Sequence, residues 1–188
     1  FLEVPFLASG VASAKEVRDI LADFKSSGKF IVAYADFYTE GGYYMASVAD
    51  EVYMAPDFGM VEFNGMSSER IYLKGTLEKL GVTPVIFRAG KYKNAAETFV
   101  ETEMSDTERE QVVAYVQSIY NNMLQDISES RNIPVEQLKN IADNMLIRKE
   151  TDAVEYKLID KLAYQTEVTE VIKSKLGLEE KDELKLTS

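Results

Sequence analysis

The 188-residue sequence contains no cysteine, no histidine and no tryptophan. Without histidine or cysteine the chain cannot by itself hold a Ser-His-Asp triad, a Cys-His pair, a zinc site of the usual ligands or a disulfide. Chemistry is left to carboxylates, lysines, tyrosines and hydroxyls. No Gly-x-Gly-x-x-Gly, P-loop or Gly-x-Ser-x-Gly occurs, so no cofactor and no metal is expected. Long apolar runs are missing too. The longest, Phe30 to Ala35, is far short of the roughly 20 residues that cross a bilayer, and the first residues lack a basic region followed by an apolar stretch. Basic charge is scarce: 21 Lys and Arg face 32 Asp and Glu, for a net charge of −11 and a pI near 4.6. A duplex binder needs a basic face, so nucleic acid is excluded as a partner, and an anionic membrane surface is disfavoured. The lack of cysteine suits the cytosol and oxidising spaces alike.

What is present reads as one domain, long enough to bury roughly 70% of the surface its unfolded chain exposes. The chain opens at Phe1, without an initiator methionine, in the strand-like stretch Phe1 to Phe6; we expect a fragment of a longer polypeptide. Ser13 and Glu16 have capping-box spacing ahead of Val17, Ile20, Leu21 and Phe24, predicting an amphipathic helix that stops at Gly28. Phe30 to Ala35 is apolar on both alternating sets, as in a strand covered on both faces. Gly41-Gly42 reads as a turn, followed by a short helix from Tyr43 to Asp50 and a strand from Val52 to Met54. Val61 and Phe63 suggest a further strand, Ser68 to Leu80 a helix stopped by Gly81, and residues 83–87 a buried strand. A second capping box, Ser105 to Glu108, opens a long helix with Val112, Val113, Val116, Ile119, Tyr120, Met123, Leu124 and Ile127 in helical spacing. Helices after Pro134, from Thr151 and from Glu167 to a stop at Gly177, with an edge strand over 158–162, complete an α/β pattern. The polar residues 178–188 read as a tail or linker.

Two places invite chemistry. Gly41-Gly42 lies between a buried strand and a helix, where α/β proteins expose backbone N–H groups, although a glycine turn serving only the fold has the same pattern. Arg88, Lys91 and Lys93 crowd the exit of the 83–87 strand. A lysine in such a position acts as a general base where burial and neighbouring cations bring its pKa from about 10.4 toward 7–8; Arg88 and Lys91 would supply the like charges. The alternative is a surface lysine, with Lys93 and Glu97 forming an exposed helical pair. The carboxylates, among them Glu108, Glu110 and Glu129, read as solvated helix faces.

The stretches GGYYMASVADEVYMAP, LEKLGVTPVIFRAGKYKNAAETF and MSDTEREQ resemble the N-terminal half of long bacterial members of the signal peptide peptidase A family, also called protease IV. The resemblance covers nearly the whole chain. It implies a Clp-protease/crotonase-like superhelix of strand-strand-helix units, with residues 1–177 forming an N-terminal peptidase repeat and 178–188 leading to a C-terminal half. It further implies a serine-type endopeptidase with a Ser/Lys dyad that degrades remnant signal peptides. In long members the halves divide the dyad, the lysine lying on a Tyr-Lys-Ser/Asn-Ala motif in the N-terminal half. Here that motif is Tyr92-Lys93-Asn94-Ala95, which makes Lys93, and not Lys91, the candidate catalytic residue. At the position equivalent to the serine stands Glu40, before Gly41-Gly42-Tyr43, and glutamate cannot replace the nucleophile. Ala8-Ser9-Gly10-Val11 replaces the family's oxyanion-hole Pro-Gly-Gly, so no oxyanion donor is assigned. The implied partners are the C-terminal half of the same polypeptide, further copies in a ring-like homo-oligomer, and peptides with apolar segments. The implied location is the outer side of a bacterial cytoplasmic membrane, anchored by a segment outside this chain; the isolated chain is expected to be inactive. Two other readings of the residues stand beside this one: an acyl-CoA enzyme of the same fold using a carboxylate such as Glu40, and a non-catalytic assembly domain.

Overall fold

A computed structural model of the protein describes residues 1–179 and 181–184. The chain divides into two compact units, one made of residues 1–65 and 122–188 and the other of residues 66–121. The polar tail expected over 178–188 lies, for residues 180 and 185–188, outside the described residues.

The first unit is built on a three-stranded parallel sheet in the order β1 (Val32–Ala35), β2 (Glu51–Met54), β3 (Lys161–Leu162). Leu2 extends the ladder beyond β1: its N–H donates to Val32 O (2.8 Å) and its carbonyl accepts from Tyr34 N (3.0 Å). All four β1 residues are buried, as expected of a strand covered on both faces. One layer of the core is Val32, Tyr34, Tyr53 and Ala163 packed with Val168 and Ile172 of the last helix. That helix, Gln165–Leu176, ends at Gly177 with φ +70°, the left-handed stop its sequence announces. The helix after Pro134 runs Val135–Asp143 and buries Leu138 and Ile141 as its spacing requires. The helix expected from Thr151 spans Glu150–Glu155 instead; the Asp152 carboxylate accepts the N–H groups of Arg148 (2.9 Å) and Lys149 (3.1 Å) and sets the earlier start.

Several expectations change. The first helix, α1 (Val11–Ser26), is preceded by Gly10, which offers no side-chain cap, so the Ser13–Glu16 box is not used. Its buried face carries Ala14 and Arg18, while Val17, Ile20 and Phe24 are exposed. Arg18 wins the inward position because it is solvated there. Its guanidinium stacks on the Tyr44 ring (4.8 Å) and donates to Tyr44 O, Ser47 Oγ (3.0 Å), Asp126 O (2.9 Å) and Ser130 Oγ (2.7 Å). The glycine pair is not a turn: α2 (Glu40–Ala46) begins before it, capped by Thr39, whose Oγ1 accepts from Gly42 N (3.2 Å). Val61 makes only an isolated parallel bridge with Tyr38, although Val61 and Phe63 are buried.

In the second unit, the helix expected over 68–80 shrinks to α3 (Lys74–Lys79), followed by Gly81 at φ +69°. Residues 83–87 form no strand, with Val85 73% and Phe87 95% exposed. Their apolar composition satisfies the strand pattern, but a strand also needs a ladder partner, and this stretch has none among the described residues. A short helix, α4 (Glu97–Val100), precedes α5 (Asp106–Arg131), which runs without a break from the second unit into the first.

Candidate active site: the Lys93 loop

Lys93 lies in the second unit, on the irregular stretch between residue 83 and α4. Its side chain is exposed and borders a shallow cavity of about 300 Å³ with Ile86, Phe87, Arg88, Ala89, Ala95 and Ala96. Gly90 makes the local turn possible. Its φ is +101°, a conformation that strains any residue with a Cβ, and a Cβ there would lie 3.8 Å from Lys93 Cγ. The Lys93 N–H points back at Gly90 O (3.4 Å).

The polar residues on either side of Lys93 have partners of their own. Arg88 and Glu97 form an ion pair (Nη1 to Oε1, 2.8 Å) that closes the loop across its two ends. The Glu97 side chain is 3% exposed and that of Arg88 51%, so the carboxylate is the buried anchor. The other Glu97 oxygen accepts from Ser105 Oγ (2.6 Å). Ser105 also accepts Glu108 N (3.2 Å), capping the start of α5. The amide of Asn94, buried like Glu97, is assigned from its neighbours: with Nδ2 toward Glu97 Oε1 (3.2 Å), Oδ1 accepts from Glu108 N (2.9 Å), and both ends are satisfied. The Ser105 hydroxyl and then Arg88 hold the Glu97 carboxyl below the usual carboxylate range, against the opposing effect of burial. On the outer side, Lys91 Nζ pairs with Glu110 Oε2 (3.2 Å), and Tyr92 OH donates to Glu110 Oε1 (3.1 Å). Beside the motif a larger cavity, about 1010 Å³, is bordered by Tyr72, Tyr92, Asn94, Glu108 and Tyr115.

This arrangement corrects two sequence expectations. Glu97 is not an exposed partner of Lys93; it is buried and belongs to Arg88 and Ser105. Arg88 and Lys91 are not free like charges either, since each is neutralised by a carboxylate. Of the Ser105–Glu108 capping box only half forms, because the Glu108 carboxylate accepts Tyr72 OH (2.6 Å) and pairs with Arg70 (3.6 Å). The anchoring triad of Glu97, Asn94 and Ser105 was missed in the sequence, where its signal was the pair of opposite charges, Arg88 and Glu97, flanking the Tyr-Lys-Asn-Ala motif.

The second candidate place offers less. A Cβ on Gly42 would lie 2.3 Å from Pro5 O and one on Gly41 2.8 Å from Leu7 Cβ, so the glycines serve close backbone approach. The Glu40 carboxylate accepts Gly65 N (2.8 Å) and Asn64 N (3.3 Å) and holds that loop in place. Gly10 is the residue before α1, with φ −66°, and a Cβ there would meet nothing within 4 Å. Among the described residues no cluster of His, Cys, Asp or Glu fits a metal ion, and no helix is long and apolar enough to cross a membrane.

Residues 23–179, which include α2, the Lys93 loop and all of α5, match the sequence pattern of Peptidase family S49. The chain belongs to peptidase family S49. Protease 4 of Haemophilus influenzae is 43% identical over 113 residues, 60% of this chain and 18% of that protein. Protease 4 of Salmonella typhi is 31% identical over 179 residues, covering 92% of this chain and 29% of its own length. The chloroplastic serine protease SPPA of Arabidopsis thaliana is 29% identical over 184 residues, 98% of this chain and 27% of the relative. The S49 chain thus spans less than a third of these relatives, and the resemblance to signal peptide peptidase A holds along nearly its whole length.

Proposed function

We propose that this S49 chain supplies the general base of a serine-type endopeptidase with a Ser/Lys dyad, Lys93 being the base and the nucleophilic serine lying in a C-terminal half of the same polypeptide. The supporting observation is the Lys93 loop itself: an exposed lysine on a turn whose polar neighbours Arg88, Lys91, Tyr92 and Glu97 each have a hydrogen-bond or ion-pair partner, in a protease-family chain without histidine. In the reaction the neutral Lys93 amine accepts the serine hydroxyl proton as the oxygen attacks the scissile carbonyl. The ammonium so formed gives its proton to the leaving amine, and the same amine then deprotonates the water that releases the acyl group. Arg88 and Lys91, the like charges expected beside Lys93, are each paired with a carboxylate.

Remnant signal peptides, with their apolar segments, are the substrate class in this reading. Residues 1–177 form the N-terminal repeat of a Clp-protease/crotonase-like superhelix, supported by the parallel sheet flanked by helices, and 178–188 lead to the second repeat. The exposed Ile71, Val85 and Phe87 support cover by further protein, either the C-terminal half or other copies in a ring-like homo-oligomer. The assembly is held on the outer side of a bacterial cytoplasmic membrane by a segment outside this chain. The acyl-CoA reading loses support because Glu40 is engaged with the 64–65 backbone.

The test is peptidase activity of the longer protein carrying the downstream half, on casein and on a short apolar peptide. Lys93→Ala is expected to abolish turnover in a folded protein and Lys91→Ala to leave it near the parent value. Parent activity in Lys93→Ala would place the base elsewhere. The chain alone is expected to cleave neither substrate.

A further inference from the structure

The Lys93 loop depends on one group that takes no direct part in the proposed chemistry. We propose that Glu97 is a positioning residue for Lys93, its buried carboxylate fixing both ends of the 88–97 loop to Ser105, the residue that caps α5; this rests on Lys93 being the general base.

The geometry makes Glu97 the common node. One oxygen takes Arg88 at 2.8 Å and the Asn94 amide at 3.2 Å; the other takes the Ser105 hydroxyl at 2.6 Å. Arg88 precedes the loop tip, Asn94 directly follows Lys93, and Ser105 immediately precedes α5. A single carboxylate thereby ties the two strands of the loop to each other and to a helix. The tip is left with Gly90 at φ +101° and Lys93, a stretch that would otherwise sample many conformations. A base must be within hydrogen-bond reach of the proton it removes, and a misplacement of about 1 Å costs on the order of 100-fold in rate.

Glu97 is well suited to the task and poorly suited to be a reactant. Its side chain is closed off from solvent, and three donors occupy its oxygens. Those donors also keep it ionised, so the clamp persists at neutral pH. Arg88 is half exposed and is held in place by Glu97 more than it holds it. The network thus converts a flexible surface lysine into one with a defined approach, without placing any further ionisable group at the reacting atoms.

The experiment compares kcat and KM on a short apolar peptide for the longer protein and its Lys93→Ala, Glu97→Gln, Glu97→Asp, Ser105→Ala and Arg88→Met variants, with circular dichroism and melting curves for each. Glu97→Gln is expected to lower kcat roughly 10- to 100-fold with KM within about twofold and the folded spectrum retained. Glu97→Asp is expected to recover part of the loss, because the charge for Arg88 is kept. Ser105→Ala, which leaves the ion pair intact, should give an intermediate kcat at unchanged KM. Arg88→Met combined with Glu97→Gln should lose no more than the worse single variant, since both act through one loop. Parent kcat in both Glu97→Gln and Ser105→Ala, while Lys93→Ala is dead, overturns the positioning role and leaves the general base standing. Parent kcat in Lys93→Ala overturns both. If Glu97→Gln fails to fold, Ser105→Ala and Glu97→Asp decide: unchanged kcat in these two folded variants refutes the proposal.

Discussion

Charge placement around Lys93 shows how residue-scale energetics departs from sequence spacing. An i, i+4 arrangement suggested a surface pair of Lys93 and Glu97, but a carboxylate that is 3% exposed needs more than one exposed ammonium to offset its desolvation. Arg88, Ser105 and Asn94 together meet that need. Acid should reveal it. The Glu97 carboxyl is held low by Ser105 first and Arg88 second, so it contributes stability that is present above its unfolded value near 4.3 and lost as pH falls through the lower folded value. Urea unfolding should therefore show stability falling as pH drops below about 4.3, and falling less steeply in Glu97→Gln; equal slopes would contradict the assignment. Arg18 makes the same point with the sign reversed. It is 4% exposed and is satisfied by carbonyl and hydroxyl oxygens contributed by α2 and by the end of α5. Arg18→Met keeps the apolar stem and strands those acceptors, and we expect a loss of about 3 kcal/mol in chemical denaturation. A loss under about 0.5 kcal/mol would mean the acceptors find water.

At the scale of elements, structure is legible in the sequence where one local signal decides it and obscure where two are needed. The buried strand β1, the helix after Pro134 and the stop at Gly177 each follow from local residues. The Tyr-Lys-Asn-Ala motif likewise marked the loop that carries Lys93. By contrast, residues 83–87 have the composition of a buried strand and lie open, because strand formation depends on a neighbour that composition does not encode. The Gly41-Gly42 pair was legible as a constraint but not as which one. Its true cause is the Val4-Pro5 backbone passing over α2, visible only once Leu2 and β1 are paired. Gly42→Ala would set a Cβ 2.3 Å from Pro5 O and should cost about 1–3 kcal/mol by displacing that segment. Thr39→Ala, which removes only the cap on Gly42 N, should cost about 1 kcal/mol. Thermal melts that rank the two in the opposite order would show that the contact at Pro5 relaxes freely.

For the whole molecule, the absence of tryptophan makes its 11 tyrosines the natural reporters. Burial pushes the hydroxyls of Tyr38, Tyr43, Tyr44 and Tyr53 well above the ordinary phenol range, and burial with Asp36 pushes Tyr34 up to about 12. A group raised on folding contributes stability that is complete below its unfolded pKa, near 10, and lost as pH rises through the folded value. Ultraviolet titration should show this buried set ionising in one cooperative step with loss of the circular dichroism signal. Gradual ionisation of all 11 without unfolding would contradict this core. Helix α5 has a different reach. It is continuous, yet Met123, Leu124 and Ile127 lie buried in one compact unit while Val113 and Tyr115 stand exposed in the other. Local opening of the second unit must therefore melt the helix partway along. In hydrogen–deuterium exchange the amides of its first half should trade protons through a shallow, sub-global opening, and those beyond residue 122 only with global unfolding. One helix would then report two free energies, and the border between them would mark where the half of α5 in the loop-bearing unit can loosen without dissolving the sheet.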